Sequence, residues 1–264
     1  MNKIYYLTYA THSERLFDLL KESANRNNIN LNIIGFGEKW FGWKNRAQQI
    51  LNHIKKLDNQ QVICHIDGFD SIILGSDNEL YEKFINNFKD KKIVFSTDNP
   101  SNFFVKYYKL KKFTLCNDIF ISAGMYIGYN YYIQELLNKF INSNHSDDQH
   151  FFSLLCERDN NIGYDINNLL FYNYQYFENT NNYKYKDNRI VMNNNKPVVI
   201  SAPGNVDIVN ILNNFGYNSN NFKKINPLNY LIKNAKEDYK YLWKEILFII
   251  VLIYVFYNLI KQWF

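Results

Sequence analysis

Two carboxylates three residues apart, Asp67 and Asp70, stand at the end of the apolar run Val62-Ile63-Cys64-His65-Ile66, with Gly68 and Phe69 between them. Carboxylate oxygens are hard ligands. A pair of them on a turn can grip a divalent cation whose other ligands include phosphate oxygens. The same pair can instead cap the turn after the strand, because Asp hydrogen-bonds its own backbone. A second acidic group, Asp147-Asp148-Gln149, opens an apolar helix at residues 151–156. Beside a reacting carbon, such carboxylates do acid–base work. At a helix start they equally complement the helix dipole. Spacing alone leaves both groups with both readings.

In an open α/β sheet, ligands bind just beyond the carboxyl ends of the strands. The elements needed to build one follow in order: a strand at 4–9, a helix at 14–27 through Leu16, Phe17, Leu19 and Leu20, a strand at 31–34, a helix at 44–56, a strand at 62–66, a helix at 80–88 and a strand at 92–96. This alternation predicts a parallel-type α/β sheet. Residues 99–112 read as an irregular aromatic loop over the site. A strand at 119–129 is interrupted by Ser122-Ala123-Gly124. Glycine inside a strand often marks close approach of a ligand or another backbone, which makes Gly124 a candidate binding residue. A helix at 131–141, weak strands at 169–177 and 189–192, a last strand at 197–200 and a helix at 207–215 complete the order.

The net charge is +5, from 30 basic and 25 acidic residues. The lysines are scattered and form no stripe, which argues against a nucleic-acid partner. The 22 Tyr and 21 Phe accompany abundant Asn, Lys and Ile. That composition fits an AT-rich genome such as that of a large DNA virus, so aromatic richness is no sign of stacking on a ligand. Cys64, Cys116 and Cys156 show neither zinc spacing nor a disulfide framework, and a reducing compartment is expected. No signal peptide is expected, since residues 1–9 run directly into a strand. His65 reads as a core histidine.

Residues 221–240 read as a linker and 241–264 as a C-terminal hydrophobic helix. Residues 246–260 are uncharged, a little short of the roughly 20 residues of a membrane span. Trp243, Trp263 and Lys244 suit the interface. The expectation is a membrane anchor, with a helix docked on the domain as the alternative. Lys233, Lys236, Lys240 and Lys244 would leave the folded domain in the cytosol.

Several segments, taken in order, resemble the glycosyltransferase domain of the procollagen lysyl hydroxylase/glucosyltransferase family. These are Thr8 after the first strand, Ile34-Gly35-Phe36-Gly37-Glu38-Lys39-Trp40, Asp67-Gly68-Phe69-Asp70 with residues 72–75, residues 122–128, Asp147-Asp148-Gln149, and Leu212-Asn213-Asn214-Phe215-Gly216. The resemblance covers about residues 1–220. It implies an α/β, GT-A-like (Rossmann-like) nucleotide-sugar transferase fold in a single domain. By the same resemblance, Asp67 and Asp70 would hold Mn²⁺ on the diphosphate of UDP-glucose or UDP-galactose. Phe69, Thr8 and Trp40 would border the nucleoside, and Asp147, Asp148 and Gln149 would face sugar and acceptor. The family's acceptor is hydroxylysine or galactosyl-hydroxylysine in collagen-like chains.

The chain departs from that pattern at specific positions. Pro203 stands where the family has a metal-binding histidine, with Gly204 and Asn205 matching the next two residues, and Ile121 replaces an asparagine. A glycine-rich loop is reduced to Gly42-Trp43-Lys44-Asn45-Arg46, where Lys44 and Arg46 are candidate phosphate contacts. Two functions follow as expectations. One is a Mn²⁺-dependent hexosyltransferase acting on a hydroxyl of a protein or glycan acceptor. The other is a degenerate nucleotide-sugar or partner-binding module tethered to a membrane.

Overall fold

The computed structural model describes residues 3–98, 103–113, 115–116, 118–156, 158–174, 183–192, 194–203, 206, 208–217, 243–245 and 247–256. The chain runs β1 (Ile4–Tyr9), α1 (Phe17–Arg26), β2 (Leu31–Ile34), α2 (Trp43–Ile54), β3 (Val62–Ile66), β4 (Ser71–Ile73), α3 (Asp77–Asn87), β5 (Ile93–Thr97) and α4 (Phe103–Lys112). It continues through β6 (Ile121–Tyr129), α5 (Asn130–Asn142), α6 (Asp148–Leu155), β7 (Ile162–Tyr164), β8 (Phe171–Asn173), β9 (Lys184–Lys186), β10 (Arg189–Val191), β11 (Val199–Ser201) and α7 (Val209–Asn214).

The main sheet has six strands in the order β2-β1-β3-β6-β5-β7. Side chains alternate across a strand, and β3 shows the consequence. Val62, Cys64 and Ile66 pack with Leu20 and Ala24 of α1 and Leu80 and Phe84 of α3. Ile63 packs on the opposite face with Ile50, Leu51 and Ile54 of α2 and Leu136 and Leu137 of α5. All five β3 residues are buried. A strand covered on both faces reads as a continuous apolar run, which is what β3 is.

The sheet is mixed, where the helix–strand alternation predicts a parallel one. β1 pairs parallel with β2 and β3, but β6 runs antiparallel to both β3 and β5. Strand periodicity is the same in either direction, so sequence pattern cannot reveal this reversal. A smaller sheet, β4-β11-β8, lies under a third apolar cluster that includes Leu16, Leu19, Ile72, Ile200 and Leu212. Its β4, like β7 and β9, is a three-residue strand too short to carry a periodic signal.

Three further expectations are corrected. Residues 103–112, read as an irregular loop, form α4, which an ion pair between Lys109 and Asp98 ties to the end of β5. Cys116 and Cys156 form a disulfide, 40 residues apart, while Cys64 stays free and buried. Spacing does not fix connectivity, and disulfides persist in oxidising surroundings, so the cysteine argument for a reducing compartment falls. Thirdly, residues 247–256 are helical and outward-facing, with Phe248, Ile253 and Phe256 exposed. Among the described residues no helix is long and apolar enough to cross a membrane. The described apolar run is about half the span required, and the expected anchor is left without support. The linker (221–240) and residues 257–264 lie outside the described residues.

The disulfide fastens the segment entering β6 to the end of α6. Cys156→Ser should lower unfolding stability by about 2–4 kcal/mol, read by denaturant titration under non-reducing conditions. Stability equal to that of the unaltered protein would show that the bridge contributes nothing.

Candidate active site

The turn at residues 67–70 joins β3 to β4 and faces the end of β1. Asp67 accepts a hydrogen bond from the Phe69 backbone N–H at 3.1 Å through Oδ1. One carboxylate oxygen therefore does cap the turn. The other, Oδ2, would lie 3.6 Å from a Cβ added at Gly124 on β6. Gly124 thus keeps the space in front of Asp67 open. Gly68 acts through closeness. A Cβ there would meet Thr8 Oγ1 at 2.9 Å and the Tyr9 carbonyl at 3.0 Å. Thr8 itself is fully buried behind the turn and supports it.

Asp70 forms an ion pair with Arg15. The Asp70 backbone carbonyl accepts from Ala202 N–H at 2.8 Å, at the end of β11. Arg15 Nη2 donates to the Ala202 carbonyl at 3.2 Å. Arg15 is the site residue that sequence reasoning missed. Nothing local marks an arginine ahead of α1 as the partner of a carboxylate beyond β3.

Asp147 and Asp148 have different surroundings. Asp147 is the N-cap of α6, accepting from His150 N–H at 2.9 Å. Asp148 is buried and ion-paired with Arg46 of α2. Burial would lower the Arg46 pKa, but the charges of Asp148 and Asp67 raise it on balance, so the guanidinium stays protonated. Burial pushes the Asp148 carboxyl above its ordinary value against the pull of Arg46. Arg46 also lies over the Trp43 ring at 4.5 Å. Through Arg46 the start of α6 and the β3 turn share one electrostatic site. Gln149, half-buried, sits on the first turn of α6.

The structure places Lys44, a candidate phosphate contact, at the end of α5, where its ammonium donates to the Ser143 carbonyl. His65 is buried, stacked on Tyr126 at 4.8 Å, with burial and then Arg46 pushing its pKa down to about 3. It is a neutral sheet-face histidine. An aromatic rim borders the mouth. Phe36, Trp40, Phe41 and Trp43 are exposed, Trp40 stands edge-on to Tyr9 at 5.9 Å, and Phe69 lies 5.3 Å from His12. Gly35 lets this loop in: its φ is +79°, and an added Cβ would sit 2.7 Å from the Tyr9 ring.

The described residues do not fit the Mn²⁺ site that the resemblance implies. Asp70 is engaged by Arg15, and Pro203 offers no side-chain ligand. Among the described residues no cluster of three His, Cys, Asp or Glu could hold an ion. Gly204 and Asn205 lie outside the described residues.

A family model described as the PLOD GT domain matches residues 1–226. The chain belongs to this family. It is 23% identical over 162 residues, 56% of its length, to a multifunctional procollagen lysine hydroxylase and glycosyltransferase of Caenorhabditis elegans. It is 23% identical over 166 residues, 58% of its length, to a Homo sapiens procollagen-lysine,2-oxoglutarate 5-dioxygenase 2. The matched region spans 22% of each of these relatives. Among solved structures, one similar chain is a glycosyltransferase involved in glycosylation of the major capsid of PBCV-1, with TM-score 0.41 and 10% identity, covering 63% of this chain and 84% of that one. Another is the galactosyltransferase LgtC in complex with donor and acceptor sugar analogues, with TM-score 0.37 and 11% identity, covering 63% and 75%. The glycosyltransferase-type domain expected from the motifs is therefore the family's own.

Gly68→Ala should force the 67–70 turn off β1 and cost about 1–3 kcal/mol, as overpacking does. Denaturant unfolding reads the cost, and an unchanged midpoint would mean that the turn is not packed against Thr8.

Proposed function

We propose that this domain transfers a hexose from a UDP-sugar to a hydroxyl acceptor. The observation that carries the reading is the buried Arg46–Asp148 pair, which the charge of Asp67 also reaches, in a glycosyltransferase-family domain. A buried ion pair is weak as a source of stability, and perturbed charges gathered in a cleft are a mark of functional sites.

In the reaction the bond from the anomeric carbon to the β-phosphate oxygen breaks, and UDP leaves with that electron pair. The acceptor oxygen forms the new bond and gives up its proton. Asp148 faces the sugar, where a carboxylate stabilises positive charge on the ring carbon or takes the acceptor's proton. Arg46 fixes its position and keeps it from swinging toward solvent. Asp147 holds the start of α6, and Gln149 offers an amide to sugar hydroxyls. Trp40 and Phe69 border the nucleoside. Asp67 meets the donor near Gly124. Hydroxylysine, or galactosyl-hydroxylysine, of collagen-like chains is the acceptor that the family resemblance implies, and the name of one relative joins procollagen lysine hydroxylation with glycosyl transfer. A binding module without turnover is the second reading, and Pro203 and Ile121 are the residues that favour it.

The test is hydrolysis and transfer of UDP-glucose and UDP-galactose, with and without a galactosyl-hydroxylysine peptide, in Mn²⁺ and in EDTA. UDP release that the acceptor stimulates is expected, and binding without release under every condition would favour the second reading. Asp148→Asn, which strands the Arg46 charge, should be less stable and, at a temperature where thermal unfolding shows it folded, should reduce kcat by about 10²–10⁴, the range of a lost acid–base group. Arg46→Ala, which strands a buried carboxylate, should destabilise the fold by about 3–5 kcal/mol. Activity of Asp148→Asn equal to the unaltered protein would remove Asp148 from the chemistry.

A further inference from the structure

The contacts of Arg15 include two in the candidate site. One is Asp70 on the β3–β4 turn, and the other is the Ala202 carbonyl at the end of β11, one residue before Pro203. Its side chain is 19% exposed and that of Asp70 15%, so the pair is largely withdrawn from water. The backbone of Arg15 is left-handed, with φ of +51°. Residues other than glycine keep such a conformation only where their surroundings over-determine it, and these positions gather at functional sites. Here the surroundings are specific. Leu16 is buried in the third apolar cluster, and its N–H donates to the Phe69 carbonyl at 3.0 Å. The residue after Arg15 is thereby locked to the very turn that carries Asp67 and Asp70.

A clamped arginine on a candidate metal ligand, beside a proline that cannot ligate, sets guanidinium N–H donors in the site, with the Arg15 charge balanced by Asp70. A guanidinium matches phosphate oxygens through several fixed N–H groups, and its charge does not depend on pH. Charge-assisted bonds of this type are about twice as strong as neutral ones.

We propose that Arg15 is the positive partner of the donor diphosphate in this chain, standing between Asp70 and the end of β11 where a divalent ion would otherwise be needed. The inference rests on the nucleotide-sugar reading of the site and deepens it. Asp70 becomes the residue that positions Arg15.

Calorimetric titration of the full chain with UDP and with uridine, in EDTA and in Mn²⁺, tests this on the unaltered protein, Arg15→Gln and Arg15→Lys. UDP should bind the unaltered protein in EDTA within about threefold of its affinity in Mn²⁺, a difference below 1 kcal/mol. Arg15→Gln should weaken UDP by roughly tenfold or more, the loss of a charge-assisted contact, and leave uridine unchanged. Arg15→Lys, which keeps the charge without the fork, should fall between them and serves where thermal unfolding shows that the glutamine variant is not folded. Mn²⁺-dependent binding by the unaltered protein, together with UDP affinity unaltered in Arg15→Gln, would overturn the role of Arg15 and leave the donor site standing. An equal loss of UDP and uridine in a folded variant would reduce Arg15 to a structural residue. Failure of the folded, unaltered protein to bind UDP in either medium would overturn the nucleotide-sugar reading itself, and this inference with it.

Discussion

Taking the Arg46 guanidinium and the Asp148 carboxylate out of water costs several kcal/mol per ion before their attraction is counted. The fold accepts that cost where α2, α6 and β6 meet. Neither charge can be moved without stranding the other, so the two helices are fixed relative to one another at this point. Asp147 caps α6 and sets its start, and Trp43 covers the guanidinium. Because Asp67 also acts on Arg46, the pair couples the start of α6 to the turn beyond β3. The geometry of the candidate site follows from this one buried interaction more than from any single motif.

A second, more exposed pair mirrors it. Arg15 and Asp70 join the segment before α1 to the same turn, and Ala202 brings in the small sheet. The turn thus carries one paired arginine, Arg15 on Asp70, and the charge of Asp67 reaches a second, Arg46. Gly68 packs it on β1 from behind. A phosphate group approaching the turn would meet guanidinium N–H groups whose position is set before binding by their carboxylate partners, which is the form of electrostatic assistance that needs no reorganisation.

Much of this was legible in the sequence where the signal is local. β1, β2 and β3 announce themselves as short apolar runs, and Asp67 follows directly where such a run must stop. The cap function of Asp147 was readable from its place ahead of Phe151. What sequence could not show depends on contacts between distant residues. The direction of β6, the Cys116–Cys156 bridge and the partnership of Arg15 with Asp70 all join segments that share no pattern. Lys44 and Arg46 make the point most sharply. Two basic residues separated by one position looked equivalent, yet helix geometry sends them to different partners, Lys44 to the end of α5 and Arg46 into the buried site. Residues next but one on a helix point about 200° apart.

The central claim is that the charges around the 67–70 turn and the start of α6 are arranged for a nucleotide-sugar diphosphate. A crystal structure of the full chain with UDP-glucose tests it most directly. The account predicts the uracil against the Trp40 and Phe69 rim, the diphosphate within hydrogen-bond distance, about 3 Å, of Arg15, and the hexose facing Asp148. A nucleotide bound away from the turn, or a diphosphate bound there with Arg15 turned out to solvent and Asp148 remote from the sugar, would contradict it.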